Sequence, residues 1–172
     1  MKPDIKVYLV SILHRGETFM DIYQKLKNLD IELPQAPKAM AMYVPVKTVG
    51  NLVYVSGQGP LHEGKITCAG KVGKDVTIEQ AIAAARLIAV NTLAALHEHI
   101  GDLNKIKSVV KVLGFVASAD GFNEQPGVIN GFSEVLVDVF GENGRHARSA
   151  VGANELPMDI SVEIESIFEL DI

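Results

Sequence analysis

Only one cysteine occurs in the 172 residues, Cys68. No internal disulfide is possible, and a single thiol fits a reducing compartment. Long apolar runs are missing as well: none approaches the ~18 residues of a membrane span. The short run "VYLVSIL" near the N-terminus is at the lower limit of a signal-peptide core, and no small-residue cleavage site follows it. A cytoplasmic location is the expectation. Positive charge is scarce. Sixteen Lys and Arg face 21 Asp and Glu, a formal net charge of -5. A nucleic-acid binder would normally show a basic face. Aromatic residues make up 6% of the chain and are not interleaved with basic ones, which argues against single-strand recognition. Repeats, low-complexity tracts and long charge runs are absent. With 48% apolar and 22% charged residues, the chain has a globular balance and is long enough for one domain with a substantial core.

The elements follow from periodicity. Residues 1–34 read as an N-terminal extension, with a possible strand at 6–13 and a helix over 17–29 carried by Phe19, Ile22, Tyr23, Leu26 and Leu29. Met20 is a second candidate start. Two prolines in "LPQAPK" break the chain, and residues 35–172 form the main domain. Its first two strands, "YVPVKTV" and "NLVYVSG", flank Gly50-Asn51, a hairpin signal. A glycine-rich loop follows. Thr77 and Gln80 have capping-box spacing. They open a long helix whose stripe is Ile78, Ile82, Ala85, Ala89, Leu93, Leu96 and Ile100, ended by Gly101. "IKSVVKVLGFVAS" is a strand apolar on both faces, which implies cover on both. Residues 123–140 form a second helix, with Ile129, Phe132, Leu136 and Val139 inward. Two strands close the chain, near 148–154 and 161–169. The order ββαβαββ predicts a two-layer α+β sandwich, two helices on one face of a mixed sheet. The other face then needs a partner, and oligomerisation through it is the expectation.

The last two strands carry charge. Val162, Ile164, Ser166 and Phe168 alternate onto the helix side, which places Glu163 and Glu165 opposite. Arg148, Ala150 and Gly152 share a face of the preceding strand. If these two strands pair, Arg148 and Glu163 lie on one side. A desolvated arginine requires a carboxylate from the protein or from a ligand. An inter-subunit ion pair, a ligand site and a solvated edge all satisfy the pattern. Other candidates read plainly. His97 and His99 point about 200° apart on a helix and cannot chelate together, so they belong to a solvated helix end. His146 adjoins the arginine strand and reads as a loop residue. Cys68 has no basic neighbour in sequence to activate it. "GQGPLHEGK" lacks the phosphate-loop pattern. Lys105, Lys107 and Lys111 are scattered.

The motifs "GNLVYVSGQGPL", "DVTIEQAIAAARLIAVNTLAAL", "LNKIKSVVKVLGFVAS", "VINGFSEVLVDVFG", "ARSAVGANELP" and "VEIESI" together resemble the Rid (YjgF-type) family of imine/enamine deaminases. The order is the family's and covers about residues 40–170. The resemblance implies a chorismate-mutase-like fold and a homotrimer with ligand clefts between subunits. It also implies hydrolysis of 2-imino or 2-amino-enoic acids, such as 2-aminoacrylate, to 2-keto acids and ammonia, with no cofactor and no metal. On that resemblance Arg148 clamps the substrate carboxylate and the Ala150 N–H adds a second anchor. Glu163 handles the attacking water, Ser56 and Tyr43 line the pocket, and Asn130 supports the site. The sequence departs from the family in three places, one of them the glycine-rich loop after "SGQ". "AMAMYVP" replaces Gly-Pro-Tyr-Ser-Gln, so only Tyr43 carries over, and Ala150 stands where cysteine is common. A non-catalytic trimeric module for small carboxylates and an endoribonuclease or translation inhibitor are the competing classes.

Overall fold

The structure is a computed structural model that describes residues 21–36 and 42–171. The expected strand at 6–13 and Phe19 lie outside the described residues. The extension's helix, α1, runs Ile22–Asn28 and buries Ile22 and Leu26, as its spacing requires. Residues 17–20 of the expected helix lie outside the described residues; the helix ends one residue earlier than expected, and Leu29 is exposed.

Strands β1 (Val46–Val49) and β2 (Leu52–Gln58) form the expected hairpin at Gly50-Asn51. The glycine-rich segment after them holds a two-residue hairpin, β3 (Leu61–His62) with β4 (Lys65–Ile66). Helix α2 covers Ile78–Ile100. The Thr77 side chain accepts from the Gln80 N–H, and the Gln80 side chain accepts from the Thr77 N–H, so two otherwise unpaired donors are satisfied reciprocally. Gly101 closes α2 in the left-handed region. By length and composition α2 is apolar enough to cross a membrane. Here Ala85, Ile88, Ala89, Leu93 and Leu96 are fully buried in the core. Next come β5 (Ile106–Ala117), α3 (Gln125–Phe140), β6 (Ala147–Ala153) and β7 (Val162–Leu170).

The five long strands form one mixed sheet in the order β1-β2-β7-β5-β6. Only β5 and β6 are parallel. Helices α2 and α3 pack on one face, with Phe132, Phe168, Ile129, Leu136 and Ile164 fully buried between the layers. This is the predicted α+β architecture. The alternation in β7 holds: Val162, Ile164, Ser166 and Phe168 are buried under the helices. The pairing of the last two strands does not hold. β6 pairs with β5, and β5 lies between β6 and β7. A long strand inserted between two strands consecutive in sequence leaves no local signal, because periodicity reports a face and not a neighbour.

Candidate functional site

Arg148 sits on β6 opposite Val112 of β5, and Val112 is fully buried beneath the helices. Registered partners share a face, so Arg148 points to the helix layer. Its contacts confirm that placement. Nη1 donates to Asn130 Oδ1 (2.9 Å) and to Ser133 Oγ (3.1 Å), and Nη2 donates to the Pro126 carbonyl (3.3 Å). All three acceptors are neutral and belong to α3. A guanidinium has five N–H donors, so two remain uncommitted among the described residues, one of them on Nε. Two parallel donors and one unbalanced positive charge match one carboxylate. Ala150 lies two residues on, on the same face of β6, opposite Gly114. β6 is an edge strand, and its outer backbone groups are open to a ligand.

The Ser133 hydroxyl also contacts His146 Nε2 at 3.0 Å, while His146 Nδ1 meets the Gly144 carbonyl at 2.6 Å. Burial, first, and the Arg148 charge lower the His146 pKa, with the Gly144 bond opposing them. His146 is the loop residue expected, and its ring is half-buried and tied to α3.

Glu163 is on the other face. It is opposite Phe115 of β5, between buried Val162 and Ile164. Its carboxyl lies over Gly57, where an added Cβ would overlap Oε1. The strand register shifts between Val55 and Gln58, so Gly57 belongs to a bulge that lets the carboxyl approach the backbone. No cation or hydrogen-bond donor meets Glu163 among the described residues. Burial, and then the Glu165 charge, raise its pKa. A carboxyl so placed keeps its proton to higher pH than an exposed one and can accept and return a proton. Ser56 Oγ donates to the Val44 carbonyl (2.8 Å) and Ser56 N–H to the Pro45 carbonyl (2.9 Å). These bonds tie the segment that bears Tyr43, whose ring is 49% exposed.

The predicted residues thus fall into two groups. Arg148, Asn130 and Ala150 gather at α3 and the β6 edge. Glu163, Ser56 and Tyr43 gather at β2 and β7. The expectation that Arg148 and Glu163 share a side is corrected, since the sheet separates them. Gly57 and Ser133 were missed; an isolated glycine inside a strand pattern was the available signal for the first. The end of α2 is solvated as expected, with Glu98 and His99 exposed, and each histidine also has a partner. His97 Nδ1 pairs with the Tyr23 hydroxyl, and His99 Nε2 with Thr48 Oγ1, both at 2.9 Å. Among the described residues no cluster of three His, Cys, Asp or Glu stands ready for a metal.

A family model described as YjgF/chorismate mutase-like, putative endoribonuclease, matches residues 24–169. Protein TCP17 of Trypanosoma cruzi is 39% identical over 147 residues, 85% of this chain and 92% of that protein. The 2-iminobutanoate/2-iminopropanoate deaminase of Dermatophagoides farinae is 30% identical over 145 residues, 82% and 95% of the two chains. The crystal structure of a protein of unknown function from Agrobacterium tumefaciens superposes with a TM-score of 0.81 at 51% identity, covering 87% of this chain and 92% of that one. The chain belongs to the YjgF (Rid) family.

Proposed function

We propose that this protein hydrolyses reactive 2-imino acids, and the 2-amino-enoic acids that tautomerise to them, to 2-keto acids and ammonia. The observation that carries this reading is the Arg148 fork. Three of its donors are held by neutral acceptors, and two are left without a carboxylate among the described residues. A relative of similar length bears the corresponding activity in its name.

The substrate carboxylate takes the two free N–H groups of Arg148, with the Ala150 backbone as a second anchor. Water adds to C2 of the C=N bond while Glu163 accepts its proton. Glu163 returns that proton to nitrogen. The carbinolamine hydroxyl then gives its proton to Glu163, which passes it to the nitrogen; the C–N bond breaks, and ammonia leaves with that electron pair as the C2 carbonyl forms. The carboxyl's raised pKa suits both transfers. Tyr43 and Ser56 line the Glu163 side.

One chain does not bring Arg148 and Glu163 to a common space. The cleft therefore requires a second copy: the β6 edge of one subunit against the Glu163 face of the next, closed as a homotrimer. The uncovered sheet face carries Tyr54 and Val110, both exposed, and supports that assembly.

The test generates a 2-imino acid in situ with an amino-acid oxidase and follows its loss with wild type and Arg148→Ala. Acceleration by wild type that Arg148→Ala abolishes is expected. No acceleration across several side chains rejects the reading, and equal activity of Arg148→Ala rejects the clamp. Light scattering should give three times the 18.6 kDa chain mass; a monomer rejects the interfacial cleft. Cleavage of RNA by wild type under the same conditions would favour the endoribonuclease class instead.

A further inference from the structure

We propose that His146 is a positioning residue for Arg148, acting through the Ser133 hydroxyl to fix which guanidinium N–H groups remain free for a carboxylate. The inference rests on the carboxylate-clamp reading above and assigns the device that sets the clamp's geometry.

The argument is an accounting of protons. A carbonyl only accepts, so the 2.6 Å contact to Gly144 places the ring proton on Nδ1. In the neutral ring Nε2 is then an acceptor. Its neighbour at 3.0 Å is the Ser133 hydroxyl, which has one proton to give. Given to His146, that proton leaves the oxygen lone pairs for Arg148 Nη1–H at 3.1 Å. Without His146, a helical serine hydroxyl turns to the carbonyl one turn back along its own helix. The lone pairs then rotate, and Nη1–H loses its acceptor. The guanidinium is planar and rigid, so with only the Asn130 and Pro126 contacts left the whole fork is held less firmly and can tilt.

The relay has a fixed base. Gly144 is buried against α3, where a Cβ would overlap the Leu136 carbonyl oxygen. The Gly144 carbonyl is therefore held relative to the helix that carries Ser133 and Asn130. Burial and the nearby Arg148 charge keep the ring neutral, the state in which Nε2 accepts. Arg148 faces the ring from β6, Ser133 from α3 and the Gly144 carbonyl from the preceding turn. No acidic group joins them among the described residues.

The experiment uses the full-length chain and 2-oxobutanoate as the carboxylate probe, with its dissociation constant measured by calorimetry. KM and kcat are measured for the matching imino acid. Ser133→Ala and His146→Phe should each raise Kd and KM about 3- to 10-fold, the size of one net hydrogen bond, with kcat within about twofold. His146→Gln offers an amide oxygen near the Nε2 position and should restore most of the loss. The Ser133→Ala/His146→Phe double variant should match Ser133→Ala alone, because His146 acts only through that hydroxyl. Unchanged KM and Kd in His146→Phe, multiplied effects in the double variant, or a fall in kcat alone would overturn the proposal. Thermal melting identifies a variant that fails to fold; Ser133→Ala and His146→Gln then carry the test. A wild type that binds 2-oxobutanoate without hydrolysing imines rejects the deaminase reading and leaves the relay to be judged by Kd. A wild type that binds no carboxylate overturns both.

Discussion

Arg148 and Glu163 face opposite sides of one sheet, with β5 between their strands: Arg148 registers with Val112 and Glu163 with Phe115. The first is drawn into the helix layer by three neutral acceptors on α3. The second is half-buried on the open face and meets no cation among the described residues. Neither charge offsets the other within the chain, which is the condition of two half-sites.

Arg148→Lys should behave as a loss and not as a conservative change. An ammonium has three donors, and the Asn130, Ser133 and Pro126 acceptors alone would occupy them. The expected result is a rise in KM of about 10-fold or more, the loss of a charge-assisted contact worth about 1.5–3 kcal/mol. Steady-state kinetics on a carboxylate-bearing imine checks it. An unchanged KM would mean that the fork is not the clamp.

Glu163→Gln should lower kcat by about 10²–10⁴ while raising stability. The direction follows from the raised pKa. A carboxyl whose folded pKa lies above its unfolded value, near 4.3 for a glutamate, favours the fold while protonated. That contribution is complete below the unfolded pKa and is lost as pH rises through the folded one. Glutamine stays neutral throughout. The melting temperatures of wild type and variant should therefore converge near pH 4 and separate toward pH 7, with the variant higher. A constant gap would contradict burial as the cause.

Gly57→Ala should displace Glu163, because the new methyl would overlap Oε1. A fall in kcat is expected in the wild-type background and a much smaller one in Glu163→Gln, as for residues that act on one element. Equal falls in both backgrounds would assign Gly57 a role apart from Glu163.

Thr77→Ala removes the cap that accepts from Gln80 N–H. The expected cost is about 1 kcal/mol, or about 2–4 °C in melting temperature for a chain of this size. KM and kcat should not move, since the Thr77 cap bonds to Gln80 and to no residue of either half-site. A melt followed by circular dichroism, beside the kinetics, checks both statements.

Much of this molecule is determined by local sequence. Thr77, Gln80 and Gly101 mark the ends of α2 because unpaired N–H and C=O groups at helix ends need particular partners. Gly50-Asn51 marks the hairpin, and the period of two in β7 puts Glu163 opposite Ile164 in any context. The motifs in order bring out the family and with it the α+β fold. The tertiary structure alone decided which strands are neighbours and what each charge meets. β5 enters between β6 and β7 across a long sequence separation, turning Arg148 toward α3 and away from Glu163. Asn130, Ser133, Gly144 and His146 converge on that arginine from a helix and the connection that follows it, and Gly57 makes room for Glu163 from another strand. A side chain's period gives its face, but its partners come from backbone segments brought together only when the core closes.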